Sequence, residues 1–254
     1  AIRHTDFCMK KEKLRKTLRF IMIVIGIILT LVLLIVAAIY FWPLKSKHLQ
    51  TGTPASISYT QAIKQHAAII QKEKDASVLD DCTSKLYTHN KRTAKTVVML
   101  HGVTACPKQY EGLAATFFEA GYNVYVPRAP HHGFSDNKRH GEVRANELVD
   151  YVNQSVTLAT GLGDEVGVVG LSGGGMLATW ASEYRPEITR ALILSPFYEP
   201  AAAQAPKWQL PFLNVLYGFH ILPDQFTVPA TADGAAFSYS ALANYNIVTK
   251  NLKS

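Results

Sequence analysis

Cysteine is scarce in this sequence, three in 254 residues, and no Cys/His spacing resembles a zinc site, so no metal is expected. The glycine-rich stretch at 170–175 lacks the G-x-G-x-x-G of a dinucleotide site, because Leu171 and Ser172 stand in the wrong places, and no G-K-S/T follows it. No cofactor is expected there. No internal repeat is present. Charge is sparse too, at 18% of residues, and its +7 excess is unevenly placed. Arg3, Lys10, Lys11, Lys13, Arg15, Lys16 and Arg19 against Asp6 and Glu12 put +5 on residues 1–19, which leaves +2 for the other 235. The basic balance belongs to a tail, and no nucleic-acid partner is expected. Hydrophobic residues make up 48%, so the chain folds, and its length suits one sizeable α/β domain with appendages or two small domains.

What the sequence does have is a long apolar run. Phe20 to Trp42 contains no charge over 23 residues. As a helix this run would reach about 34 Å at roughly 1.5 Å per residue, enough to cross a hydrocarbon layer of about 30 Å. Phe41 and Trp42 suit an interfacial aromatic belt. A cleaved signal peptide is the alternative, but its apolar region spans only about 7–15 residues before a small-residue cleavage site. The length favours an uncleaved single-pass anchor in the cell membrane. Lysine and arginine before it place the N-terminus in the cytoplasm and the remainder outside. Cys8 then stays on the reducing side, while Cys82 and Cys106 share the oxidising side and can pair; two buried free thiols are the alternative.

Residues 1–19 thus read as a cytoplasmic tail, 20–42 as a transmembrane helix, and 43–58, rich in Pro, Ser, Thr and Gly, as a linker. A helix is expected from Tyr59 to Asp75, with His66 on its packed side. From Ser84 the rhythm becomes strand, helix, strand. "KLYTH" and "TVVML" flank a polar turn and predict a hairpin feeding a buried strand at Thr96–Leu100. Pro107 to Gly121 predicts a helix, "NVYVP" a strand, and 142–159 a second helix. Val166–Val169 and Ala191–Ser195 predict strands on either side of a helix from Met176 to Tyr184. Continuous apolar strands alternating with helices predict a mostly parallel sheet with helices on both faces, over residues 59–195.

One joint in this series carries chemistry. Gly170-Leu171-Ser172-Gly173-Gly174 matches G-x-S-x-G between a predicted strand and a predicted helix. The small residues let strand and helix approach, and the helix N-terminus lends positive charge to a developing oxyanion. An ordinary tight turn is the bland alternative. A second element ends a strand in His101-Gly102, and "VPRAPHHGFSD" follows the next strand. With these three motifs in order, the chain from Lys85 to Pro196 resembles the α/β-hydrolase family, especially bacterial lysophospholipase-like and monoacylglycerol-lipase-like serine hydrolases. Serine aminopeptidases share the motifs. The resemblance implies a nucleophilic Ser172, an oxyanion hole from the backbone N–H groups of Val103 and Gly173, elbow glycines Gly170 and Gly174, and a supporting loop at His101 and Gly102. By the same resemblance, His131 and His132 are structural.

A serine needs a base and the base an orienting carboxylate, which in this fold follow in the order Ser, acid, His. After Ser195 there is one histidine, His220, ahead of Asp224 and Asp233, the reverse of that order. Residues 196–254 instead resemble the family's cap, whose Trp208, Phe212, Leu213, Leu216, Tyr217 and Phe219 would line an acyl pocket or pack together. The acid and histidine are therefore expected beyond residue 254, with His220 as a second candidate for the base. The expectation is a membrane-anchored, extracytoplasmic α/β hydrolase, truncated at its C-terminus, cleaving a carboxylic ester of a lipid or lysophospholipid through an acyl-enzyme on Ser172. A serine aminopeptidase-like peptidase and a non-catalytic binding module are the alternatives.

Overall fold

The chain divides into two units between Pro43 and Leu44. In a computed structural model that describes residues 2–202, 205–227 and 236–253, the first unit is one helix, α1 (Ile2–Tyr40). Its stretch Lys13–Tyr40 is long and apolar enough to cross a membrane, and its leucines and isoleucines, apart from the half-buried Ile39, are exposed.

The second unit begins with residues 44–58, all but the first residue of the stretch 43–58 expected as a linker, which run along the protein surface on side-chain clamps. Asn251 accepts the Ser46 N–H and donates to Leu44 O, both at 2.9 Å, and Asn153 accepts the Thr53 N–H at 2.9 Å. The indole of the buried Trp180 donates to Leu49 O at 2.7 Å. Helix α2 (Tyr59–Asp75) follows, started by a capping box in which Ser58 and Gln61 satisfy each other's backbone N–H groups.

Five strands then build a mixed sheet: β1 (Lys85–Tyr87), β2 (Thr93–Leu100), β3 (Asn123–Val126), β4 (Gly163–Leu171) and β5 (Ile188–Leu194). Their order is β1-β3-β2-β4-β5, with β1 antiparallel and all other pairs parallel. The hairpin expected between β1 and β2 does not form, because β3 lies between them. Asn123 explains why. Its Oδ1 accepts the His89 N–H and its Nδ2 donates to Lys91 O, so the 88–92 connection passes over the start of β3 instead of folding back.

The strands are apolar on both sides, and alternate residues face opposite layers. Val98, Leu100 and Val168 pack against α2, α4 (Ala145–Thr160) and α5 (Gly173–Tyr184), with Leu148, Val152, Leu177 and Trp180 in the same core. Val97, Met99, Val124 and Val169 face Tyr110 and Ala114 of the segment leading into and through α3 (Glu111–Glu119). This is the α/β-hydrolase topology. On the α3 side the β4–β5 half of the sheet stays open, leaving a cleft of about 190 Å³ floored by Val97, Val169 and Leu192; it contains no residue of the Ser172 elbow. β5 is an edge strand, and Leu192 on it is 44% exposed.

After β5 come the short α6 (Leu210–Phe212), a π-helical turn (Leu213–Tyr217), and α7 (Tyr239–Thr249). Leu213 packs on Ala243 of α7, with Tyr217 against the same cluster, whereas Trp208 is exposed. α7 was not visible as a helix in the sequence. It is buried on every side, Ala241, Tyr245 and Val248 joining the main core and Asn244 and Asn246 holding hydrogen bonds, so it carries no apolar stripe.

Candidate active site

β4 ends at Leu171 and α5 begins at Gly173, so Ser172 makes the whole turn, with φ 56° and ψ −117°. A non-glycine residue there costs on the order of 1–3 kcal/mol and needs surroundings that hold it. Ser172 N–H donates to Leu194 O at 3.0 Å, and Ser172 O accepts from Phe197 N–H at 2.9 Å and Met176 N–H at 3.1 Å. The glycines are there for contact. A Cβ on Gly174 would lie 1.8 Å from Leu100 O, and one on Gly170 would lie 2.0 Å from Gly174 O. The helix therefore starts directly on the carboxyl end of β2, beside the turn that follows it.

That turn is held by buried polar groups. His101 accepts the Ala129 N–H on Nε2 at 3.0 Å, which fixes its tautomer, so Nδ1–H donates to Gly102 O, also at 3.0 Å. Ala105 N–H reaches the same carbonyl at 3.1 Å, and the Gly102 N–H donates to Gln109 Oε1 at 3.0 Å. With the Gly102 carbonyl pulled to one side, the Val103 N–H of the same planar peptide points to the other. His132 lies between two carbonyls, Nδ1 at 2.7 Å from Pro130 O and Nε2 at 2.7 Å from Val103 O, and as a neutral ring it donates to one of them. Burial drives both rings toward the neutral form, His101 down to about 3 and His132 to about 4.

The predicted residues are brought together around Ser172. A Cβ on Gly102 would stand 3.6 Å from Ser172 Cβ, and one on Gly173 would stand 2.6 Å from Val103 Cγ2. Neither the Val103 N–H nor the Gly173 N–H meets an acceptor among the described residues. Tyr245 of α7 lies over Gly173, its ring carbon 2.7 Å from where a Cβ would be, and its buried hydroxyl has no partner among the described residues. Neither Tyr245 nor Gln109 was singled out in the sequence, where a lone Tyr and a lone Gln have no signature. Cys82 and Cys106 form a disulfide.

No base is joined to Ser172. None of the eight histidines from His48 onward hydrogen-bonds it among the described residues. His131 sits between Glu142, 3.1 Å from Nδ1, and Glu147, 3.2 Å from Nε2. His220 occupies a left-handed backbone at φ 55°, with its Nε2 buried and unpartnered among the described residues, and burial followed by Arg144 lowers its pKa. Asp224 does not orient it. That carboxylate accepts Ser238 Oγ–H at 2.6 Å and Ser240 N–H at 2.9 Å, capping α7. Asp233 lies outside the described residues.

Comparison with protein families settles the relationship that this geometry suggests. The family described as serine aminopeptidase, S33, matches residues 91–223, which is more than half of the chain. The chain belongs to that family. By family it is a serine hydrolase, and the matched span contains the His101 turn, the His131–His132 loop and the Ser172 elbow. A structure from the work on the metagenome-derived lipolytic enzymes LipS and LipT is 22% identical, with 68% of this chain and 69% of that one covered at a TM-score of 0.49. A soluble variant of monoglyceride lipase from Saccharomyces cerevisiae is 13% identical over 65% of this chain and 63% of that one, at 0.46. A probable hydrolytic enzyme from Pseudomonas aeruginosa is 21% identical, with 45% of this chain and 36% of that one covered, at 0.33. The chain thus spans less than two thirds of the length of the last two. No curated protein matches it.

Proposed function

We propose that Ser172 is the nucleophile of a membrane-anchored, extracytoplasmic hydrolase that cleaves a carboxylic ester, with lipid or lysophospholipid esters as the substrate class. The observation that carries this reading is a pair of unsatisfied N–H groups, Val103 and Gly173, beside a serine held in a strained turn. Oγ attacks the ester carbon, the carbonyl π pair moves onto oxygen, and the two N–H groups take up the charge. Each such donor lowers the barrier by about 3 kcal/mol. The base takes the Oγ proton on attack and returns it to the departing oxygen, so collapse expels the alcohol and leaves an acyl-serine, which water, giving its proton to the same base, then cleaves to the acid and free Ser172. The base and its carboxylate are proposed to come from outside residues 1–254, since every histidine bond seen here goes elsewhere. The open β5 edge supports a further element at that side of the sheet. His220, with its buried free Nε2, is the candidate for the base within the chain.

The helix Lys13–Tyr40 and the basic residues before it support a span with the N-terminus in the cytoplasm, and tethering to a bilayer favours a lipid ester. The family's description as serine aminopeptidases favours a second reading, in which an aminoacyl amide is cleaved. A fluorophosphonate probe should label the full protein in membranes and not Ser172→Ala. Turnover of acyl esters of graded length against aminoacyl amides then separates esterase from peptidase. Equal labelling of the Ser172→Ala protein would remove Ser172 from the chemistry.

A further inference from the structure

The turn that carries Val103 is held in an unusual way on its outer side. Thr104 is exposed and Ala105 and Cys106 are half-buried, so packing gives residues 104–106 little support. Cys106 caps the 3-10 turn Pro107–Tyr110, whose far end is fixed by the buried Tyr110 hydroxyl donating to Leu100 O at 3.0 Å. Across the gap, Cys82 N–H donates to Leu79 O at 2.8 Å, and Leu79 N–H donates to Gly133 O at 2.9 Å. Gly133 has φ +76°, and a Cβ on it would lie 2.8 Å from Cys82 Cβ, so the two backbones are wedged together. The next residue back is His132, whose Nε2 sits on Val103 O.

These contacts close a ring: Val103 to His132, along the chain to Gly133, across to Cys82, through the disulfide to Cys106, and back along the chain to Val103. The disulfide is the one covalent cross-link in it. The Lys108–Asp81 ion pair, 2.7 Å, spans the same gap, but both side chains are more than half exposed and such pairs contribute little.

We propose that the Cys82–Cys106 disulfide is a positioning strut for the oxyanion donor, keeping the Val103 N–H aimed at the space beside Ser172. The proposal rests on the reading of Ser172 as nucleophile. With the strut cut, the His101 and Gln109 bonds still hold Gly102 and Val103 keeps its core packing, but beyond Val103 the segment to Cys106 is tied only through His132, the Ala105 N–H and the Gln109 N–H donating to Cys106 O at 2.9 Å. The fold survives and the aim of the donor does not. Because Cys106 is half-buried at the surface, a small dithiol can reach it. Dithiothreitol gives two electrons and two protons to the S–S bond, leaving two cysteine thiols and closing itself to a cyclic disulfide.

The test uses the full chain in detergent, comparing wild type, Cys82→Ser/Cys106→Ser, and wild type reduced with dithiothreitol and then reoxidised. The first readout is the concentration dependence of fluorophosphonate capture at Ser172. The saturating rate should fall about ten-fold or more without the cross-link, short of or equal to the roughly 10²–10³ lost when an oxyanion donor is removed outright. Half-saturation should stay within about two-fold, and reoxidation should restore the rate. The second readout is amide exchange, expected to accelerate at residues 102–106 and 131–134 while β4 and α5 keep their protection. An unchanged saturating rate, with mass measurement showing the S–S bond absent, overturns the strut. So does exchange that rises equally across the whole unit, which is the mark of a merely stabilising cross-link. If the wild type is not captured by the probe at all, the nucleophile reading is what fails, and the exchange pattern alone then decides the strut.

Discussion

The seat of α5 on β2 can be tested by adding one methyl group. In Gly174→Ala the new Cβ would lie 1.8 Å from Leu100 O, 2.4 Å from Leu100 C and 2.7 Å from His101 O. An unstrained carbon–oxygen contact is about 3.3 Å or longer, so helix and strand must separate by roughly 1.5 Å. All three clashing atoms are backbone, and no rotamer change relieves them. Overpacking of this kind costs about 1–3 kcal/mol and sometimes more, against the gain of up to about 1 kcal/mol that alanine brings to a helix. A net loss of about 2 kcal/mol is expected. Gly112→Ala is the control, since Gly112 is also in a helix, α3, and a Cβ there would meet nothing within 4 Å. That variant should gain up to about 1 kcal/mol. Urea unfolding of both proteins in detergent, followed by tryptophan fluorescence, reads the difference; Trp180 is buried while Trp42 and Trp208 are exposed. At a slope of about 2–3 kcal/mol per molar, the Gly174→Ala midpoint should drop by about 0.7–1 M. If both variants shift upward alike, α5 does not start on the end of β2, and the geometry argued for Ser172 goes with it.

Other outcomes follow from buried polar groups. Tyr245→Phe keeps the ring over Gly173 and deletes an unpartnered buried hydroxyl, so thermal denaturation should show a gain of about 1 kcal/mol; a loss would mean that the hydroxyl has a partner. Arg185 is fully buried and holds Glu187 at 2.8 Å, Asn153 O at 2.5 Å and Thr157 Oγ1 at 3.1 Å, so Arg185→Met should cost about 3–5 kcal/mol, and a midpoint within about 0.5 kcal/mol of wild type would contradict that network. Stability should fall with acid well before the carboxylates titrate. His101 and His132 stay neutral in the folded protein, with pKa values near 3 and 4, but take up protons near 6.5 when unfolded, so their contribution is complete above pH 6.5 and is lost as pH falls. Each gives a slope of about 1.4 kcal/mol per pH unit, so a halved slope would show that one of these rings is already charged and a urea midpoint that is flat from pH 6.5 to 5 that both are.

The parts of the fold legible in sequence are those where one local rule is enough. The charge-free run before Trp42, the valine strand before Gly170 and the glycines around Ser172 each announce a helix, a strand and a close crossing. What was hidden depends on distant partners. Nothing near Asn123 says that it will hold the 88–92 connection and admit β3 beside β1. Residues 44–58 have the composition of a loop because their backbone N–H and C=O groups are met by Asn153, Trp180 and Asn251, more than a hundred positions away for most of them. α7 is surrounded by protein, so polar and apolar residues alternate on it without period. The site divides the same way: the elbow and the His101 turn are motifs, whereas Gln109, Tyr245 and the Gly133–Cys82 wedge exist only in three dimensions.

The burial of α7 also imposes a timetable. Tyr245 closes over Gly173, and Asn251 binds both Leu44 and Ser46, so a turn made some two hundred residues later fastens the first residues of the unit. At roughly 5–20 residues per second, Ser172 leaves the ribosome on the order of ten seconds before Tyr245 can reach it. Through that interval the crossover has no roof, and any chaperone that serves this protein meets it with its glycine joint bare.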